Sequence, residues 1–91
     1  SFYMKRVINK IVKNTIKKNP AFKNVRSAEV QFLMKSPVRS AMCDWVYGLK
    51  VETYNDDVNQ PLIISTLKEK ITEVSSQVTN DTFCLTDYYF E

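Results

Sequence analysis

The stretch Cys43-Asp44-Trp45-Val46-Tyr47-Gly48-Leu49-Lys50-Val51-Glu52-Thr53-Tyr54 decides the fold. Cys43, Trp45, Tyr47, Leu49, Val51 and Thr53 share one parity, while Asp44, Lys50, Glu52 and Tyr54 share the other. An apolar row alternating with a polar one has the two-residue period of a half-buried strand. This strand is expected over 41–54, with a bulge at Gly48, the only glycine.

Asn55-Asp56-Asp57 follows with turn chemistry. Ile63, Leu67, Ile71, Val74 and Val78 then recur at helical spacing, which predicts an amphipathic helix over 61–79. Pro61 suits its first turn. The alternative start keeps Leu62–Ser65 extended and opens the helix on a capping box of Thr66 and Glu69. Upstream, Ser36-Pro37 separates the long strand from a shorter one over 28–35. There Val30, Phe32 and Met34 are expected on one side and Glu29, Gln31 and Lys35 on the other.

Met4, Val7, Ile8, Ile11, Val12, Thr15 and Ile16 place a first helix over 4–18, limited by Pro20. Its β-branched apolar face lowers intrinsic propensity, so packing against a sheet must hold it. Thr82–Phe90 reads as a last strand, with Phe83 and Leu85 set against Cys84, Thr86, Tyr88 and Phe90. The order α-β-β-α-β predicts an α+β fold, two helices packed on a mostly antiparallel sheet, in one domain over 1–91. Val7, Ile8, Ile11 and Ile16 are expected to share one core with Ile63, Leu67, Ile71 and Val74. Ser1-Phe2-Tyr3, ahead of Met4, is expected to be a remnant of processing or expression.

Charge divides the chain. Residues 1–40 hold ten of the thirteen Lys and Arg and one acid, Glu29, whereas residues 41–91 hold three Lys and nine acids. The net charge of +3 therefore conceals about +9 on one half and −6 on the other. Such a chain suits a charged partner, or its own other end. Arg6, Lys10, Lys13 and Lys17 fall on one helix face, and Lys18, Lys23 and Arg26 extend the patch, so these seven are the candidate partner-binding residues. Neighbouring lysines at helical spacing repel by about 0.2–0.5 kcal/mol per pair, a cost that a bound anion would reverse. The bland alternative is a solvated face. For a nucleic acid, aromatics would have to offer stacking faces: Phe22 and Phe32 lie near the basic half and Trp45, Tyr47 and Tyr54 beyond it, but none is interleaved with the basic run. Trp45 and Tyr47 read as core. Tyr88, Tyr89 and Phe90 read either as core or as interface anchors.

Catalytic and metal chemistry find little to work with. Histidine is absent, which removes the commonest general base and metal ligand. No familiar triad forms without it. Asp56-Asp57 lacks the spaced oxygen ligands of a calcium loop. No catalytic residue, metal, cofactor or small-molecule substrate is expected. Cys43 and Cys84 fall in expected strands and read as small buried hydrophobes, with a mutual disulfide as the alternative if the strands are adjacent. No apolar run approaches a membrane span of about 20 residues. No signal peptide is visible, and an intracellular or virion location is expected.

The organisation resembles the tail-terminator and tail-completion proteins of tailed bacteriophages. It is carried by an N-terminal helix, the strand Ala28-Glu29-Val30-Gln31-Phe32, and the strand Gly48-Leu49-Lys50-Val51-Glu52-Thr53-Tyr54. Asn55-Asp56-Asp57 then leads into the second helix, and a strand closes the chain. The resemblance implies a viral structural or accessory protein that forms a homo-oligomeric ring without enzymatic activity. The short chain, its cysteines and its terminal aromatics depart from that pattern, and no functional residue is carried over. The function expected is a non-enzymatic assembly or interaction module. It would bind a protein partner or its own copies through complementary basic and acidic surfaces. The alternative is a nucleic-acid-binding protein using the first helix.

Overall fold

The computed structural model describes residues 2–38 and 42–91, with side chains from Tyr3 onward. The first helix, α1, spans Phe2–Lys18. It stops before Asn19-Pro20, since the residue preceding a proline is held out of the helical region. Lys17 and Lys18 occupy its last turn, where cations suit the helix dipole. A single 3-10 turn at Pro20–Phe22 follows, capped by Asn19 Oδ1, which accepts from Ala21 N at 3.0 Å. Three strands and a second helix complete the chain: β1 at Val25–Lys35, β2 at Trp45–Thr53, α2 at Gln60–Val78 and β3 at Phe83–Phe90. β2 begins at Trp45, later than the expected start at 41: residues 42–44 are outside the strand, and residue 41 lies outside the described residues.

The α+β class and the order α-β-β-α-β are present. The sheet runs β1-β2-β3 and is mixed: β1 pairs with β2 antiparallel, and β3 pairs with β2 parallel. Parallel neighbours need a crossover, and α2 supplies it. Asn59 caps α2, its Oδ1 accepting from Leu62 N at 3.1 Å, with Pro61 in the first turn. The Thr66 capping box is not used. The Thr66 hydroxyl instead donates back to Leu62 O at 2.7 Å, within the helix.

One core holds these elements together. Ile8 and Val12 of α1 meet Tyr47, Leu49 and Val51 of β2, and Ile63, Leu67 and Ile71 of α2. All eight are essentially inaccessible to solvent. Ile11 is also buried, while Val7, Ile16 and Val74 pack against the cluster partly exposed. Val78, at the end of the α2 stripe, is half exposed. The Tyr47 hydroxyl and Ser75 Oγ are buried without a hydrogen-bond partner among the described residues. Burial pushes the Tyr47 phenol well above its ordinary pKa, because the charged form would be desolvated.

The alternation expected in β1 is broken. Val30 pairs with Leu49 but Phe32 pairs with Gly48, so Gln31 is an extra residue. That bulge returns Leu33, not Phe32, to the core side, and Met34 is half exposed. A second bulge in β1 makes Arg26 the extra residue between the Val25–Thr53 and Ser27–Glu52 pairs. In β3, Thr86 is extra between the Tyr47–Leu85 and Gly48–Asp87 pairs. The irregularity expected at Gly48 is therefore carried by its neighbours on both sides. Gly48 itself is required by close approach: a Cβ there would run into Cε1 of the Phe32 ring and lie 2.9 Å from Cδ1.

Cys43 and Cys84 form a disulfide, which corrects their reading as free buried thiols. The parallel register explains the pairing. Val46 lies opposite Cys84, and the backbone N–H groups of Asp44 and Trp45 both donate to Thr82 O, at 2.9 and 3.0 Å. The approach to β2 thus runs beside the approach to β3, and the two Cα atoms lie 5.8 Å apart. Trp45 stacks on Phe83 at 6.1 Å, and its indole N–H donates to Asp81 Oδ2 at 2.9 Å, closing the same end of the sheet.

Ile8→Ala is expected to cost about 2–5 kcal/mol in urea titration, because it opens a cavity in a site with no exposure. Replacing both cysteines by serine releases a cross-link between residues 41 apart and is expected to cost about 4 kcal/mol by loop-closure entropy. Chemical denaturation under non-reducing conditions measures that loss.

Candidate functional site

The apolar stripe of α1 must face the sheet, and this decides where its cations go. At about 100° per residue, Arg6, Lys10, Lys13 and Lys17 fall opposite Met4, Ile8 and Val12. All four cations are exposed, and so are Lys18, Lys23 and Arg26. From Lys10 to Lys17 the row is about 10 Å long.

Two recesses flank α1 and divide the patch. A groove of about 780 Å³ separates α1, which contributes Lys10 and Lys18, from α2, which contributes Glu69, Lys70 and Glu73. Its charges largely cancel, and Lys70 Nζ lies 3.5 Å from Glu73 Oε1. A smaller cleft of about 400 Å³ lies between α1 and β1. Lys13 and Lys17 line it from the helix, and Arg26, Ser27 and Glu29 line it from the strand. This cleft holds three cations and one acid. Glu29 Oε1 accepts from Gln31 Nε2 at 3.2 Å. The β1 bulge sets Arg26 here, since an extra residue re-aims the side chains of a strand. Asn9 fixes the junction: its Oδ1 accepts from Val30 N at 2.8 Å, tying α1 to β1. Lys13, Lys17 and Arg26 are legible as site candidates in the sequence, whereas Ser27, Glu29 and Asn9 are not. No periodicity marks residues that meet only when two elements dock. Lys23, just after the 3-10 turn, lines neither recess.

The acids of the second half offset this face only in part, through Glu69 and Glu73 in the groove beside Lys10 and Lys18. Among the described residues, and Arg6 aside, the ion pair joining the two halves is Arg26 Nη1 to Glu52 Oε2 at 3.9 Å. Several of the other acids are occupied locally. Lys50 Nζ lies 3.3 Å from Glu52 Oε1 and 3.4 Å from Glu91 Oε2, a chain across the sheet face away from the helices. Hydrogen bonds to Glu52 and then Glu91 hold the Lys50 ammonium above its ordinary pKa. Asp44 Oδ2 accepts from Thr82 N at 2.7 Å, and Asp81 accepts the Trp45 indole.

The candidate stacking residues do not form a platform beside the cations. Phe22 is buried, and Phe32 lies over Gly48 on the far face of the sheet. Tyr88, Tyr89 and Phe90 belong to β3. Phe90 packs against the core, and its ring meets Tyr88 edge to face at 6.2 Å. Tyr88 and Tyr89 stay 45% and 44% exposed on an edge strand, so both core and surface roles are open to them. The Tyr89 hydroxyl donates to Gln31 Oε1 at 3.3 Å, spanning β2.

No helix among the described residues is long and apolar enough to cross a membrane. Comparison with family models, curated proteins and solved structures finds no match. The functional reading therefore rests on the geometry of this chain.

Truncation after Asp87 removes Phe90 from the core edge, and Glu91 from its backbone bonds with Val51 and Thr53. Melting is expected to fall at every protein concentration, by about 4–8 °C for each kcal/mol lost. If only the concentration dependence of melting disappears, the terminal aromatics serve an interface and not the monomer.

Proposed function

We propose that this domain is a non-enzymatic interaction module that holds an anionic partner on the outer face of α1. One observation carries the reading. Lys10, Lys13 and Lys17 stand in a row opposite the core, and no acid of the described residues pairs with them although the chain holds ten. Their mutual repulsion is left in the free protein, so an anion laid along the row gains both new attraction and relief of that repulsion.

The partner carries its charge as carboxylates, on another protein or on a second copy of this chain, or as phosphates or sulfates along a polymer. In a second copy, the exposed carboxylates of Asp56, Asp57 and Asp87 are available for such a contact. A basic face meeting an acidic one on the next copy is a heterologous contact, which closes into a ring where the rotation allows. Nucleic acid is the second reading. Exposed lysines favour it, and Tyr3, exposed and lining the α1–α2 groove with Lys10, is the single aromatic side chain of the described residues that lines either recess, a thin stacking surface for a single strand.

Light scattering and titration across a salt series, with polyglutamate, an oligonucleotide and heparin as probes, test the reading. Lys10→Glu with Lys13→Glu is expected to keep the fold, because exposed changes cost about 0.5 kcal/mol or less each. It is expected to lose both self-association and polyanion binding, and rising salt should reproduce the loss in the unmodified protein. A double variant that binds as well as the unmodified chain at every salt concentration would leave the row a solvated surface.

A further inference from the structure

We infer that the cleft between α1 and β1, with the lysine row beside it, binds a sulfated polysaccharide. The inference rests on reading the outer face of α1 as a contact surface, and it names the partner of that surface.

Four observations converge. The first is shape. Lys13, Lys17 and Arg26 line a recess of about 400 Å³, room enough for a sulfate group and part of the sugar that bears it. The guanidinium of Arg26 offers paired donors to an oxyanion, and the lysines offer point charges. The Ser27 hydroxyl lines the same recess and donates to Glu52 Oε2 at 3.4 Å, the oxygen that Arg26 Nη1 meets at 3.9 Å, so a bound sulfate exchanges with that carboxylate for these two groups. The second is linearity. Lys10 continues the row beyond the cleft along the helix axis, and charges repeating along a line match a linear polymer better than the scattered carboxylates of a folded protein.

The third observation is the Cys43–Cys84 disulfide. Such a bond persists in secreted and extracellular environments, where sulfated polysaccharides occur, and is rare where nucleic acids are abundant. It points away from the intracellular location expected from the sequence. The fourth is the lining itself: none of the described residues around the cleft is aromatic, so it has no face on which a base would stack. The groove between α1 and α2, which Lys10 also borders, is the less basic recess, since Glu69 and Glu73 line it with Lys10, Lys18 and Lys70.

Calorimetry on the disulfide-bonded chain decides the matter, using a heparin oligosaccharide, the same oligosaccharide after desulfation, polyglutamate and a single-stranded oligonucleotide of equal charge. The heparin oligosaccharide is expected to bind with an affinity that falls steeply with salt. The desulfated form, polyglutamate and the oligonucleotide should each bind at least about tenfold more weakly. Lys13→Gln with Arg26→Gln should weaken heparin binding by a similar factor, while Lys68→Gln on α2 leaves it unchanged. Circular dichroism and melting check that the variants fold, and the desulfated sugar tests the inference without any variant. If polyglutamate or the oligonucleotide binds as tightly as heparin, the sulfate assignment falls and the contact surface stands. If heparin binds equally well to the Lys13/Arg26 variant, the cleft is not the site. If no polyanion binds, both readings fall.

Discussion

Tyr47, Leu49 and Val51 on the middle strand are the row on which the rest of the structure depends. Each is sealed from solvent, and each lies between residues of both neighbouring strands and beneath the two helices. A domain of this length supports one core, so every element must reach that row or remain unsupported. α1 reaches it through Ile8 and Val12, and α2 through Ile63, Leu67 and Ile71. The weak intrinsic propensity of the β-branched face of α1 is offset here, since burial of a side chain such as Ile8 is worth about 1.5–3 kcal/mol. The Tyr47 hydroxyl at the centre has no hydrogen-bond partner among the described residues.

The same constraint organises the charge. Because the apolar stripe of α1 is turned inward, its lysines are turned outward, and of the described second-half acids only Glu69 and Glu73 share a recess with them, the groove that Lys10 and Lys18 line. The other acids sit where β2, β3 and the sheet ends place them. Lys50 draws Glu52 and Glu91 to the far face of the sheet, while backbone and indole donors engage Asp44 and Asp81. Exposed pairs of this kind contribute about 0–1 kcal/mol each, so they guide surface placement more than they hold the fold. The outcome is a folded domain whose α1 lysines keep an excess of positive charge on the outer face, and that imbalance is the physical basis of the binding role proposed above.

The disulfide and the bulges refine the frame set by the core. The Cys43–Cys84 bond pins the starts of β2 and β3 together at the end where Trp45 stacks on Phe83. The bulge at Gln31 lets the Phe32 ring cross Gly48, and the bulge at Arg26 turns a guanidinium toward the edge of α1. Each departure from regular pairing thus repositions a side chain that ideal alternation would have sent elsewhere.

Local periodicity and punctuation were enough to read the five elements, their order, the stop at Pro20, the start near Pro61 and most of the core. Those features depend on the spacing of apolar residues within one segment, which the linear chain states directly. The outward direction of Arg6, Lys10, Lys13 and Lys17 was legible for the same reason, since it is the complement of the apolar stripe. The parallel pairing of β3 was not legible, and neither were the disulfide that follows from it, the displaced parity of Phe32 and Met34, or the burial of Phe22. Nor was the meeting of Lys13 and Lys17 with Arg26. These depend on strand register and on how α1 docks against β1, which are set by packing between residues far apart in the chain, so only the tertiary structure decided them.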